Sequence, residues 1–515
     1  MRKIIEPIFG DYDERLLYPV LVLLFLGIGA ILIDADGFQL LFENINKWLL
    51  FNFNWGFLIG VSSTMFFCLW LGFSKYGKMK LGKDTDEPEF STIAWISMMF
   101  SAGFGLSTLL WCAAEPLYHL YQSSWNIDAG TVGSPAGVPR AMLLSWFDWG
   151  IHAWTLFAVG GLAIAFPAYR MGKPMTLGIG LFGLLREKAF TGFWGKLADV
   201  LGIIATLGGN AASLGFGVLS ISYGIKYITG IELGSAGTLV AMAMIVAAFI
   251  FSAVSGVERG IKYLSLTNIY ISIAVLIYLL IAGPTNYLLA LATQTFGDYL
   301  SQVITLSFWT DAGNFEGTEW KQRPWLNWWV IFYWLWYASY VPFCSGFIAR
   351  ISKGRTVREF VVGVIVIPTI MTFVLFAIWG GNSAYLEVTG AVPLWDAVQN
   401  DFGSTIYTLL SYFPMGKVLC VVVFFSIVCF GVTTSDSASF FIAMQMSKGR
   451  LNPSAPMRVL WGVTLGGIGL CLLASGKLNA IKTMAIVMGA PFFFVVIAYM
   501  FSIVKMFKMA EKGEL

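Results

Sequence analysis

Long runs without charge alternate with short polar stretches rich in Lys, Arg and Gly. Crossing a bilayer as a helix takes about 20 predominantly apolar residues, fewer where the ends reach into the interface. Runs of roughly that kind lie at 18–33, 56–72, 93–117, 141–168, 197–228 and 237–254. Six more follow at 263–282, 325–349, 360–379, 418–444, 459–473 and 484–504. The pattern predicts an all-α integral membrane protein with twelve transmembrane helices.

The polar stretches orient these spans. With both termini in the cytoplasm, the basic groups at 75–83, 170–196, 259–262, 350–358 and 448–458 also fall inside. Together with the termini they hold 24 of the 32 basic residues, which is the positive-inside signature of a multi-pass protein in the cell inner (plasma) membrane. Composition agrees: at 57% hydrophobic and 12% charged residues, no soluble domain buries this much apolar surface. A net charge of +3 gives no reason to expect a nucleic-acid partner, and membrane lipid is the solvent. The polar start at 1–15 does not read as a cleavable leader. All six cysteines sit in apolar runs without metal-ligand spacing and read as small core residues.

Breaks in the pattern are uneven. The third span contains SAGFGLS (101–107) and the eighth contains Tyr340-Val341-Pro342, so both are expected to unwind locally. Five-helix units starting at spans three and eight have opposite orientations in the bilayer, which predicts two inverted repeats, spans 3–7 and 8–12. Small residues in a span are also packing devices, and that reading stays open for GFG. The corresponding regions are 1–92 with two peripheral spans, 93–283, an extracytoplasmic connection at 284–324, 325–504, and a short tail at 505–515.

The eighth span carries five Trp and three Tyr before four basic residues. An interfacial belt places aromatics at span ends, whereas Trp334, Trp336, Tyr337 and Tyr340 lie mid-span. Aromatic faces attract cations that cannot be hydrogen-bonded, by about 0.5 to 2 kcal/mol per face. The cluster therefore suggests a cage for a methylated onium group.

These segments carry a resemblance. FYWLWYASYVPF with ARISKGRTVREF, AGFG with AEPLYH, DWGIHAW and FGVTTSDS are similar to the betaine/choline/carnitine transporter family over nearly the whole chain. The resemblance implies a leucine-transporter-type core, secondary transport by alternating access, and a homotrimer. It also places a substrate box at Trp149, Trp154, Phe157 and Tyr337, spacings that one helix permits for the first three. Phe157 replaces the usual Tyr of betaine carriers, and Tyr337 the usual Trp. Tyr118 matches a box tyrosine of carnitine carriers, and Trp336 and Tyr340 are expected on the periplasmic approach path. The glycine motif, with Gly103 and Gly105, ends in Ser107, where choline carriers place an acid. A zwitterion brings its own carboxylate, which exposed backbone N–H groups and the Ser107 hydroxyl can receive. Glycine betaine is the first expectation, followed by carnitine and dimethylsulfoniopropionate.

The same resemblance implies sodium as coupling ion and no cofactor. One sodium site comprises Phe430, Thr433 and Thr434 facing Ser101 and Phe104, and a second comprises Thr206, Asn210 and the ring of Phe343. Carnitine exchangers place an arginine in the seventh span, where Asn268 stands here, so a sodium symporter is favoured over a sodium-independent exchanger or a choline transporter. The tail at 505–515 lacks the long basic extension of osmosensing members, so little direct osmotic activation is expected. Glu115, Asp148, His152 and Asp436 are the ionisable residues expected within spans, with Asp148 and His152 satisfying one another at i, i+4. With two histidines and no HExxH or GxSxG, the chain has little chemistry for a membrane-embedded enzyme. A channel is disfavoured because a cage traps a solute that a pore must release.

Overall fold

In hydrocarbon every backbone N–H and C=O has to be paired within its own segment, so apolar runs of this length fold as helices. The computed structural model describes residues 2–103, 106–122, 130–255, 258–312, 324–400, 402–474 and 478–515. Its principal helices are α1 (Glu14–Ile33), α2 (Ala35–Phe73), α3 (Thr92–Gly103), α4 (Leu106–Gln122), α5 (Val138–Trp149), α6 (Ile151–Met171), α7 (Phe193–Thr229) and α8 (Ser235–Ser255). They continue with α9 (Glu258–Ala282), α10 (Thr285–Ser307), α11 (Phe332–Arg350), α12 (Val357–Val388), α13 (Gly416–Met446), α14 (Ala455–Ala474) and α15 (Leu478–Glu511). Among the described residues there is no β-strand, only an isolated bridge between Lys80 and Thr356.

Among the described residues, seven helical stretches are long and apolar enough to cross a membrane, α5 with α6 counting as one; the count is eight if Leu266–Ala282 and Thr285–Ser307, bent by 107°, form one span. The runs expected near 237–254 and 459–473 appear as the apolar helices α8 and α14, 21 and 20 residues long. The connection expected at 284–324 is largely α10, which packs against α5 and α12.

The core centres on α11, which is buried along nearly its whole length between α6, α7 and α15. Small residues let these helices close in. A methyl group at Gly160 would overlap Ser345 and Val341, at Gly209 Ser339, and at Gly489 the Leu335 carbonyl, which is the usual packing device of membrane helices. Large apolar side chains of α1, α8 and α9, such as Phe25, Leu26, Phe251 and Ile281, point outward where lipid covers them.

Two expectations are corrected. Helix α11 runs unbroken through Pro342; the irregular stretch lies earlier, in a π-helical turn at Asn327–Ile331. A proline removes one hydrogen bond, and tight packing on all sides of α11 holds the helix together around it. The expected single helix over 141–168 is interrupted at Gly150.

Polar stretches that the sequence put on one side of the membrane meet on one face. Asp13 pairs with Lys196 at 2.7 Å, and Asp11 with Lys448 at 2.6 Å and Arg450 at 2.9 Å. Lys75 pairs with Glu511, Arg170 with Asp84, and Arg186 with Glu514. The Tyr169 hydroxyl donates to the Arg350 carbonyl at 2.7 Å, and a Thr356–Glu359 capping box starts α12 beside it.

Candidate substrate cavity

Gly150 takes φ −85° and ψ −141°, outside the helical region, so α5 ends at Trp149 and α6 restarts at Ile151. A side chain at Gly150 would strike the Trp146 carbonyl and the Tyr299 hydroxyl, so glycine is needed for the close approach. The break turns Trp149 off the end of one helix while Trp154 and Phe157 rise on the first turns of the next. Across from them, α11 presents Trp336, Tyr337 and Tyr340 on adjacent turns.

These side chains surround one cavity, lined also by Ser107, Thr108, Ala153, Ser213, Cys344 and Thr372. Ring centroids of Trp149 and Tyr337 are 5.8 Å apart, of Phe157 and Tyr337 6.3 Å, and of Trp154 and Phe157 5.6 Å, each pair near perpendicular. Edge-to-face contact is ordinary aromatic packing geometry, and rings that line a cavity in this way can offer their faces to a cation within it. Trp336 is held by its indole N–H to the Gly209 carbonyl at 3.2 Å and meets Tyr340 edge to face at 6.0 Å.

Hydroxyls mark one flank of the cavity. Ser107 and Ser213 lie 2.9 Å apart, and Ser213 is also hydrogen-bonded to Tyr340. Tyr337 Oη is buried without a hydrogen-bond partner among the described residues. Among the described residues no Asp, Glu or His lines the cavity, so the walls described carry no group for acid–base chemistry.

Tyr118, expected near the box, is not among the lining residues; it packs against Trp111, Trp329 and Trp395 instead. Trp334 stacks on His152 at 4.7 Å and belongs to the packing. Gly103 closes α3, whereas Phe104, Gly105 and the side chain of Ser101 lie outside the described residues. Ser213 and Thr372 went unnoticed in the sequence, since one small hydroxyl residue in a span carries no pattern of its own.

Of the residues expected to hold sodium, Thr433 donates to its own helix, at the Cys429 carbonyl, 2.9 Å away. Phe430, Thr433 and Thr434 are half-buried on α13. Thr206 donates to the Gly202 carbonyl at 2.8 Å, Asn210 Oδ1 accepts from Ser435 at 3.3 Å, and the Phe343 ring packs on Tyr340 at 4.9 Å. Their helices α7, α11 and α13 are mutual neighbours. Asn268 is buried against α13, donating to the Ser426 carbonyl and accepting from the Ser426 hydroxyl at 2.5 Å.

The intramembrane charges are arranged otherwise than expected. His152 bonds Ser307 at 2.8 Å rather than Asp148, because the turn at Gly150 breaks the i, i+4 spacing. Asp148 faces His119 at 3.4 Å. Glu115 accepts from the Trp149 indole at 2.6 Å and the Tyr333 hydroxyl at 2.5 Å. Lys482, placed before the twelfth span in the sequence, lies inside α15 and is buried over the rings of Trp111, Trp329 and Phe332 at 4.6 to 5.1 Å. Starting that span at the first apolar residue after the gap, rather than at Met484, would have exposed this lysine as an intramembrane charge.

Residues 15–512 match the model of the betaine/carnitine/choline family transporters. The chain is 35% identical to the glycine betaine transporter OpuD of Bacillus subtilis (strain 168), over 90% of this chain and 88% of that one. It is 32% identical to a probable glycine betaine transporter of Desulfitobacterium hafniense (strain Y51), covering 88% and 89%. An ectoine/hydroxyectoine transporter of Virgibacillus pantothenticus is 30% identical, covering 95% of each chain. With a family match spanning nearly every helix, the chain belongs to the betaine/carnitine/choline transporter family, and it is a multi-pass membrane transporter rather than an enzyme.

Proposed function

We propose that this protein takes up a zwitterionic quaternary ammonium osmolyte, with glycine betaine the first substrate, by sodium-coupled alternating access. The observation that carries this reading is the cavity walled by Trp149, Trp154, Phe157 and Tyr337 with the Ser107 and Ser213 hydroxyls at its edge. The rings suit a trimethylammonium head, and the hydroxyls suit a carboxylate tail. The absence of an acid from the lining disfavours a net cation such as choline. Relatives named for glycine betaine and ectoine point the same way.

Twelve spans with both termini in the cytoplasm fit the shared polar face. Between successive stretches on that face the chain makes an even number of crossings if α3 with α4, α5 with α6, and α9 with α10 each count as one span. Two inverted five-helix repeats fit the pairing of α6 with α12, α7 with α13, and α8 with α14, which are counterparts in such repeats. A homotrimer follows the family habit.

Sodium coupling rests on the oxygen donors of Phe430, Thr433, Thr434 and Thr206, and on Asn268 standing where exchangers place an arginine. Uptake of radiolabelled betaine into proteoliposomes is expected to need an inward sodium gradient, grow with inside-negative potential and fall sharply when Thr433→Ala and Thr434→Ala are combined. Equal uptake without sodium, driven only by internal substrate, would establish an exchanger instead. Thermal-shift measurement against betaine, choline, carnitine, dimethylsulfoniopropionate and ectoine ranks the substrates, since a ligand of the folded state stabilises it; choline above betaine would overturn the zwitterion reading.

A further inference from the structure

Behind the Trp149 wall lies a cluster that substrate binding does not use. Four titratable side chains from three helices meet there: Glu115 and His119 of α4, Asp148 of α5 and Lys482 of α15. Glu115, His119 and Asp148 have no exposed surface, and Lys482 is nearly as deep. The flanking titratable groups are Cys112 of α4 and Tyr333 and Tyr337 of α11. His152 of α6 faces away, against Ser307 and Trp334.

Hydrogen-bond partners fix most of the protons. An indole N–H only donates, so His119 Nδ1, 3.1 Å from Trp325 Nε1, is an acceptor and carries no proton. The imidazole is then neutral with its proton on Nε2, which lies 3.3 Å from Glu115 Oε1 and 3.4 Å from Asp148 Oδ2. Glu115 receives Trp149 and Tyr333 on Oε2 and His119 on Oε1, the surroundings of a carboxylate anion. One cation, Lys482, balances it. Asp148 is left over: among the described residues neither carboxyl oxygen has a hydrogen-bond donor, although both are fully buried. A second anion without donors or counter-charge would be far costlier there than a neutral acid.

We propose that Asp148 is a proton-binding site, and that the proton it holds keeps the Trp149 wall of the cavity in place. Asp148 and Trp149 are consecutive residues at the end of α5, and the Trp149 indole is a donor to Glu115. Loss of the proton creates an anion beside His119, which competes with Glu115 for the Nε2 proton and repels Glu115. Glu115 anchors the indole, so the disturbance reaches the ring that faces the cavity. The proton site stands on the buried cluster alone; its link to transport rests on the cavity reading above.

The first test needs no substrate. A neutral, protonated Asp148 in the folded state and an ionised one in the unfolded state mean that the native protein binds the extra proton, so stability is lost as pH rises through the native titration. Between about pH 6 and about pH 9 the unfolding midpoint of purified wild-type protein is expected to fall by several degrees relative to Asp148→Asn, whose amide holds no such proton. Parallel pH profiles for the two proteins would overturn the proposal. Infrared spectroscopy of the wild type gives a second readout if the variant does not fold: a protonated-carboxyl band is expected near neutral pH and its loss at alkaline pH, and its absence near neutral pH would overturn the assignment. For the link to the cavity, betaine binding to the wild type is titrated across the same pH range in buffers of different ionisation enthalpy. Tighter binding at lower pH with net proton uptake supports the link, and pH-independent binding without proton exchange overturns it. Failure of betaine to bind at any pH would count against the substrate assignment and leave the substrate-free result standing.

Discussion

Two aromatic cages share the α4–α11 side of this protein, and they differ in what fills them. One is walled by Trp149, Trp154, Phe157 and Tyr337 and encloses open space. The other, made by Trp111, Trp328, Trp329 and Phe332, closes around the protein's own Lys482 at 4.6 to 5.7 Å from each ring. Tyr333 joins them, with its ring 5.0 Å from Trp149 and 5.9 Å from Trp111. Ring density alone therefore announces a cation without saying whose. Where α15 supplies a lysine the cage is filled by the protein itself, and around the cavity no described Lys or Arg lines the walls.

The largest effect is expected at the filled cage. Lys482→Met removes the counter-charge of Glu115 and should cost about 3 to 5 kcal/mol of stability, the usual result of orphaning a buried charge. Unfolding of the purified protein measures it, and combining the change with Glu115→Gln should recover part of the loss because the two groups interact. A loss no larger than that from Lys482→Arg would show that charge at this cage is not what holds it.

At the open cage the expected loss is in affinity. Trp149→Ala and Tyr337→Ala each remove one aromatic face, worth roughly 1 to 2 kcal/mol at a desolvated site, and should raise the betaine dissociation constant about fivefold to thirtyfold. Trp149→Ala should be the more damaging, since it also takes a donor from Glu115. Normal saturable uptake by both variants would place the substrate elsewhere.

Ser107→Asp should sharpen the difference by giving the open cage an acid of its own. Choline uptake is expected to appear and betaine uptake to weaken, through attraction of the bare cation and repulsion of the carboxylate. Competition assays read both changes, and unchanged preference would exclude Ser107 from the charge filter.

The smallest effect separates the two tyrosines of α11. Tyr337 Oη has no partner among the described residues, whereas Tyr333 donates to Glu115 at 2.5 Å. Tyr337→Phe is expected to change betaine affinity by less than about threefold, while Tyr333→Phe should cost about 1 to 3 kcal/mol of stability by removing a donor from a buried carboxylate. Equal and small effects would mean that the Tyr333 bond contributes little.

Much of the fold was legible in the sequence because lipid imposes one rule on every segment. The ends and breaks were less so: the interruption moved from Pro342 to the π-turn at Asn327–Ile331 and to Gly150, where neighbouring side chains rather than local propensity decide. Of the cavity, Trp149, Trp154, Phe157, Trp336, Tyr337, Tyr340 and Ser107 could be named from motifs and resemblance, and they do meet. Tyr118 could not be sorted from them, because the same aromatic spacing serves packing as well as binding.

By itself the sequence determined that the chain lives in lipid, which polar stretches share a side, and that aromatic faces are concentrated on one helix. These follow from composition and periodicity, which act along the chain. Tertiary structure alone decided how the five tryptophans of 325–336 divide. Trp325 donates to His119, Trp328 and Trp329 close on Lys482, Trp334 stacks on His152, and Trp336 reaches the cavity. The partners that make this division come from α4, α6 and α15, some 150 to 200 residues away in the chain. No local pattern encodes such distances, since it is close packing among helices that sets which face of a ring meets a charge and which meets open space.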